Sequence, residues 1–115
     1  MGMFDSVTAV ALNSALDGLA ARQRAIADNV ANVQTPNYHA KRVQFEAALK
    51  TAVASGSGAA SATTSRSLEP TREDGNNVNL DTETLSNIDT NLRYQLASQA
   101  VSSQFALLRA AMRNA

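Results

Sequence analysis

Cysteine is absent from this chain of 115 residues, so disulfide bonds and thiolate metal ligands are excluded. Histidine occurs once, at His39 in a predicted loop, which leaves no histidine pair at the spacing of a zinc site. The other titratable residues do not converge in a pattern typical of acid–base or nucleophilic catalysis. We therefore expect a protein that is not an enzyme and that binds neither a metal nor a cofactor.

Large aromatic side chains and surplus charge are also scarce. The chain has three Phe, two Tyr and no Trp, and much of its hydrophobic content is alanine, which buries little area. Such a thin core predicts marginal stability alone, or assembly with other chains. The ten basic and ten acidic residues give zero formal net charge and form no stripe. Nucleic acid is therefore not an expected partner, and no net charge opposes self-association.

Long hydrophobic runs are missing as well. No stretch approaches the roughly 20 apolar residues that a helix needs to cross a bilayer, so we expect no direct membrane span. The first residues do not show the basic and then apolar order of a Sec-type signal. If the protein is exported, we expect a route that requires no cleavable signal.

The first long helical pattern covers residues 1–33. Its apolar side chains recur at spacings of three, four and seven residues, as in a heptad pattern, and we expect them to pack against a second helix of the same chain. Gly18 lies within this helix, either as a tolerated substitution or as a point of close helix approach. The predicted packing residues are Leu12, Leu16, Leu19, Ile26, Val30 and Val33.

The second long pattern covers residues 79–115, with Asn79 or Asp81 as the expected N-terminal cap. Its apolar residues fall on two nearly opposite faces. We expect one face to pack against the first helix and the other to contact neighbouring subunits; the alternative is a bent helix, or one buried on all sides in a bundle. The intrachain face comprises Leu85, Ile88, Leu92 and Leu96, and the subunit interface comprises Tyr94, Val101, Phe105, Leu108 and Met112.

Residues 34–78, between the two helices, are predicted to be irregular. Residues 54–67 are almost entirely Ala, Ser, Gly and Thr, which favours a flexible loop. The alternation around Val43 and Phe45 fits a short strand, and the residues from Phe45 to Lys50 fit a helical turn equally well. The predicted fold is therefore a single all-α domain over residues 1–115. Its two long terminal helices pair as an antiparallel coiled-coil hairpin around an irregular, partly flexible middle segment.

Two motifs give the chain a resemblance to a known family. Residues 28–38, DNVANVQTPNY, resemble the N-terminal signature of the axial proteins of the bacterial flagellum, roughly A-N-N-[IL]-A-N-x-x-T-P-G-Y. Asn37 replaces the usual glycine, and asparagine also tolerates the positive φ of such a turn. Residues 74–81 and 91–95 resemble the proximal, B-type member of the basal-body rod family. The matching signature residues are Asn29, Asn32, Thr35, Pro36 and Tyr38.

This resemblance implies a non-catalytic structural subunit of the proximal rod, located in the basal body outside the cytoplasmic membrane. It also implies export by the flagellar type III apparatus and assembly of the terminal helices into the drive shaft that transmits torque from motor to hook. The implied partners are other rod proteins, a basal-body adaptor, export-gate proteins and further copies of the chain.

Three points stay open. Phe45 and Leu49 form either an i,i+4 helix pair or a short export-gate motif. The chain could instead be another rod or hook component of the flagellum. A different class of protein, a cytoplasmic helical-hairpin adaptor, is also compatible with two paired helices.

Overall fold

The computed structural model describes residues 2–113, with side chains described from residue 7 onward. Residue 1 and residues 114–115, at the outer ends of the two predicted helices, lie outside this range. The described chain is elongated, measuring 65 × 25 × 14 Å. Its elements in chain order are α1 (Gly2–Ala31), β1 (Lys41–Gln44), α2 (Glu46–Ala54), β2 (Thr63–Arg66) and α3 (Leu80–Arg113).

The ends of the two long helices follow from local sequence. Asn79 caps α3, since its Oδ1 accepts hydrogen bonds from the backbone N–H groups of Asp81 at 2.9 Å and Thr82 at 3.3 Å. After α1, the backbone N–H of Tyr38 donates to the carbonyl of Thr35 at 3.3 Å, and Asn37 has a φ of 64°. Both the predicted cap at Asn79 and the predicted turn at Pro36 are confirmed.

The prediction of an irregular middle segment is wrong in part, because residues 34–78 contain a helix and a two-stranded antiparallel sheet. The strands pair in register from Lys41 opposite Arg66 to Gln44 opposite Thr63. The fold is therefore mostly helical rather than all-α. β2 lies within the segment predicted to be flexible, and its side chains are all exposed. The sequence of β2 therefore shows no alternation of apolar and polar residues, and its strand conformation depends on its pairing with β1.

Phe45 explains why the sequence around it fitted both a strand and a helix. β1 ends at Gln44, α2 begins at Glu46, and Phe45 joins the two as the N-terminal boundary of α2. Its ring is buried with Leu19, Ala25 and Val43 in the main hydrophobic cluster. The ring lies directly against Gly18, where an added Cβ would overlap it. Gly18 is thus a point of close approach, but to an aromatic ring rather than to a helix.

The two long helices lie side by side, and later residues of α1 contact earlier residues of α3. The side chain of Asn29 bonds to that of Glu83, and the side chain of Gln23 bonds to that of Asn91 at 2.9 Å. Glu83 and Thr90 are buried on the side of α3 that faces α1, and Tyr94 and Ala97 pack against the hydrophobic cluster. This side of α3 is therefore made of polar, small and aromatic residues.

The predicted role of the intrachain face of α3 is consequently wrong for four residues. Leu85, Ile88, Leu92 and Leu96 are 69, 61, 55 and 57% exposed, so they do not form the intrachain face. Tyr94 is half-buried and packs against the hydrophobic cluster of the same chain, and its contact with neighbouring subunits stays a prediction. The physical reason is that the buried Glu83 must face its partners on α1 and β1, which turns the leucine side outward.

The other predicted packing residues vary in burial. On α1, Leu19 and Ile26 are buried, and Leu12 and Leu16 are half-buried; Val33, in the turn after α1, is also half-buried. Val30 is 45% exposed, which contradicts its predicted packing role. Near the end of α3, Val101 is half-buried, whereas the remaining predicted interface residues are exposed: Phe105, Leu108 and Met112.

Replacing Gly18 tests the packing of the Phe45 ring. Gly18→Ala should destabilise the protein by about 1–3 kcal/mol, because the new methyl overlaps a buried ring and the gain in helix propensity is smaller. The measurement is chemical denaturation followed by circular dichroism. In the Phe45→Leu background the same substitution should cost less, since the ring is gone. Equal costs in both backgrounds would contradict the proposed contact.

Candidate functional site

Asn29, a signature residue, is the centre of a buried polar network. Its side chain is fully buried, and its Nδ2 donates to Glu83 Oε1 at 2.7 Å and to the carbonyl of Lys41 at 3.0 Å. Its Oδ1 accepts from the backbone N–H of Lys41 at 2.7 Å and from the hydroxyl of Tyr38 at 3.3 Å. One amide therefore joins the end of α1, the start of β1 and the first turn of α3.

Glu83 supplies the charge in this network. It is 1% exposed, and its Oε1 also accepts a hydrogen bond from Arg42 Nη1 at 2.9 Å. A buried carboxylate is tolerated only when it is paired and hydrogen-bonded, so the partners from α1 and β1 hold the start of α3 in one orientation. Its Oε2 has no hydrogen-bond partner among the residues that the structure describes.

Two adjacent asparagines extend the network to the loops. Asn76 Nδ2 donates to the carbonyls of Asn32 and Thr35, each at 2.8 Å, which satisfies acceptors at the end of α1. Asn77 Oδ1 accepts from the backbone N–H of Ala40 at 2.7 Å. The sequence analysis did not predict these long-range bonds. The only available signal was the unusual pair of asparagines after Gly75.

The other signature residues shape the exit from α1. Asn32 Nδ2 donates to the carbonyl of Asp28 at 2.8 Å, and Thr35 Oγ1 donates to Asn32 Oδ1 at 3.0 Å. Pro36 is exposed within the turn. Burial raises the pKa of Tyr38 above its usual range, and the Tyr38 hydroxyl donates a hydrogen bond to Asn29. The structure thus brings the signature residues together, in contacts that fix the geometry of the chain.

Arg22 forms a second set of hydrogen bonds, which links α1 to α2. Its guanidinium donates to both carboxylate oxygens of Glu46, at 2.6 and 2.8 Å, and to the carbonyl of Val43 at 2.7 Å. It also lies 5.0 Å from the centre of the Phe45 ring, which it partly covers. The hydrogen bonds from Arg22 lower the pKa of Glu46 to about 2.

Two exposed surfaces of the described chain are apolar. The ridge consists of Leu85, Ile88, Leu92 and Leu96 on the outer side of α3. The groove lies between α1 and the last part of α3 and has a volume of about 430 Å³. Contiguous exposed apolar surface of this kind marks sites where other molecules bind. The groove is lined by Ala9, Leu12, Asn13, Val101, Gln104, Phe105, Leu107, Leu108 and Ala111.

The predicted subunit-interface residues near the end of α3 do not all lie on the same surface. Val101, Phe105 and Leu108 meet in the groove, and Met112 is 70% exposed farther along α3. Sequence reasoning missed Leu107, which is 67% exposed and lines the same groove. Its position between two predicted interface residues was the available signal.

Two kinds of site are not found within residues 2–113. No group of three or more potential metal-ligating side chains comes together there. None of the described helices combines the length and apolarity needed to cross a bilayer. The ridge and the groove are the apolar surfaces available to a partner.

Comparison with curated proteins gives three similar sequences. The flagellar basal body rod protein FlgB of Escherichia coli (strain K12) is 34% identical over 112 residues, covering 78% of this chain and 81% of the relative. The protein of the same name from Shigella flexneri gives the same values. FlgB of Borrelia hermsii is 55% identical over 38 residues, which are 33% of this chain and 28% of the relative. No protein-family model matches the chain.

Removing the amide of Asn29 tests the buried network. Asn29→Ala should destabilise the fold by roughly 3 kcal/mol, because the buried carboxylate of Glu83 keeps only its bond from Arg42 and the backbone N–H of Lys41 loses its bond to Asn29 Oδ1. Chemical denaturation measures the loss. The matched control is Asn87→Ala, at an exposed position of α3, which should change stability by less than about 0.5 kcal/mol. Similar effects of the two substitutions would contradict a central role for Asn29.

The contact of Glu46 with Arg22 predicts a dependence of stability on pH. The pKa of Glu46 falls from its ordinary 4.5 to about 2 on folding, so its contribution is present above pH 4.5 and is lost as the pH falls toward 2. Because the carboxylate is 45% exposed, solvent screening limits this contribution to about 1 kcal/mol. Denaturation midpoints measured between pH 6 and pH 2 should fall less in Glu46→Gln than in the unmodified protein. Parallel curves would rule the contribution out.

Proposed function

The chain belongs to the family of the flagellar basal body rod protein FlgB, and we propose that it assembles into the rod through apolar surfaces on its terminal helices. As a member of this family it is a structural component of the rod and is located in the flagellar basal body. The alternatives, another axial component or a cytoplasmic adaptor, are not favoured, because all three similar proteins carry the name FlgB.

The observation that carries the proposal is the outward placement of large apolar side chains on α3. Of the twelve large hydrophobic residues that are exposed within the described chain, nine lie on this helix. An isolated chain gains nothing from holding leucines in water, whereas burying them between subunits is worth about 25 cal/mol per Å². Assembly would therefore supply the burial that the small core of Leu19, Ala25, Val43 and Phe45 does not.

Within the rod, α1 and α3 are proposed to pair as an antiparallel coiled-coil hairpin. The contacts of Asn29 with Glu83 and of Gln23 with Asn91 support this arrangement, since they join the helices in opposite order. Two helices of 30 and 34 residues packed side by side resist bending and twisting better than either helix alone. This property suits a non-catalytic subunit of a shaft that transmits torque from motor to hook.

Export by the flagellar type III apparatus and contacts with neighbouring rod, adaptor and export-gate proteins complete the proposal. A cysteine-free chain with a small core can pass a narrow channel unfolded and then fold as it binds its neighbours. Phe45 and Leu49 could act as an export-gate motif only before folding, because Phe45 is 6% exposed in the folded chain.

Phe105→Asp tests the role of the terminal helices. The substitution places a charge on the exposed groove surface, so it should abolish rod assembly and motility while export of the subunit continues. Motility in soft agar, secretion of the subunit and electron microscopy of basal bodies measure the three outcomes.

The matched control is Val53→Asp, an exposed apolar position on α2, which should leave assembly intact. Loss of assembly in the control as well would show that the terminal helices are not the distinguishing surfaces. Unfolding of the isolated Phe105→Asp chain, seen by circular dichroism, would mean that Phe105 stabilises the subunit rather than an interface.

A further inference from the structure

The ridge and the groove lie on different parts of α3 and face different directions. At 100° per residue, the four ridge side chains fall within about 80° of one another and nearly opposite Thr90, which is buried against α1. The groove instead opens beside α1, between Leu12 and the last turns of α3. One chain can therefore use both surfaces at the same time, each with a different neighbour.

The two surfaces match in length. The ridge extends from Leu85 to Leu96, which is about 16 Å at a rise of 1.5 Å per residue. The α3 side of the groove extends from Val101 to Ala111, which is about 15 Å. A helix bearing the ridge would therefore fill the groove along its whole length.

The charges on the two surfaces are also compatible with a contact between them. Among the described residues that line the groove no side chain is charged, and the polar groups are the amides of Asn13 and Gln104. Beside the ridge, Asp89 and Arg93 form an ion pair at 2.9 Å within one helix, so their charges offset each other. With zero formal net charge on the chain, no overall charge repulsion opposes the approach of a second copy.

We propose that the ridge of one copy of this chain occupies the groove of the next copy. The contact joins two different surfaces, so it does not close into a dimer and instead continues from copy to copy. Suppose that the α3 helices of neighbouring copies run in the same direction. Aligning the midpoint of one copy's ridge with the midpoint of the next copy's groove then shifts the two helices by about 23 Å along their axis. This inference rests on the proposed function and adds the identity of the partner.

The absence of native cysteine allows a direct test by disulfide cross-linking. In the predicted register, Leu92 of one copy lies beside Leu108 of the next, so a mixture of Leu92→Cys and Leu108→Cys chains should give a linked dimer under mild oxidation. Each variant alone should give none, because equivalent positions do not meet in such a contact. The mixture is tested both in concentrated protein and in basal bodies from cells that express both variants.

The matched control shifts the register. Leu85→Cys mixed with Leu108→Cys moves the thiol by two helical turns, and disulfide formation needs Cα atoms within about 7 Å, so its yield should be about tenfold lower. Efficient linking of Leu92→Cys with itself would show a symmetric ridge-to-ridge dimer and overturn the proposal. Equal yields from both registers would overturn it as well.

Failure of this inference can be told apart from failure of the proposed function. If no linked dimer forms but Phe105→Asp still abolishes rod assembly, another rod protein or another segment fills the groove, and only the pairing of copies is wrong. If no dimer forms and Phe105→Asp rods assemble normally, the assembly surface itself is wrong.

Discussion

The hydrogen bond between Asn29 and Glu83 determines how α3 is rotated against α1, and the character of the whole outer surface depends on that rotation. The carboxylate of Glu83 is buried, so it must face the amide of Asn29 and the guanidinium of Arg42. Any other rotation of the helix would leave a buried charge unpaired, which is far more costly than exposing a leucine. With this orientation fixed, Thr90 and Tyr94 point inward and the leucine ridge points to solvent.

The buried contacts are consequently concentrated in the inner half of the helix pair. The buried asparagines and the small sheet lie where the end of α1 meets the start of α3, and the Phe45 ring packs near the middle of α1, against Gly18. Towards the outer end the two helices border an apolar groove, with Phe105 60% exposed. A subunit built in this way can hold one end rigid while the other end obtains its packing from a neighbour.

The sequence predicted the two long helices because their apolar periodicity and terminal signals are strong and local. It also predicted the turn at Pro36 and the cap at Asn79, which depend on a few adjacent residues. It did not predict β2, because a fully exposed strand of Thr, Ser and Arg depends on its partner strand rather than on its own pattern.

The predicted intrachain face of α3 was wrong for a related reason. Hydrophobicity ranks Leu85 and Leu92 above Glu83 and Thr90 as interior residues, and an amphipathic helix usually follows that ranking. Here a buried ion pair and hydrogen bonds to Asn29 decide the orientation instead. Periodicity correctly separates the two faces of a helix, but it does not reveal which face the rest of the same chain covers.

The outward ridge also has a consequence for sequence change. In a single copy, a polar residue at Ile88 or Leu96 removes little packing, since both side chains already contact water. Such replacements would leave the folding of a single copy nearly unchanged, and some would even raise solubility. With the ridge as the proposed assembly surface, mutational screens that select for soluble purified protein would therefore enrich variants that no longer assemble.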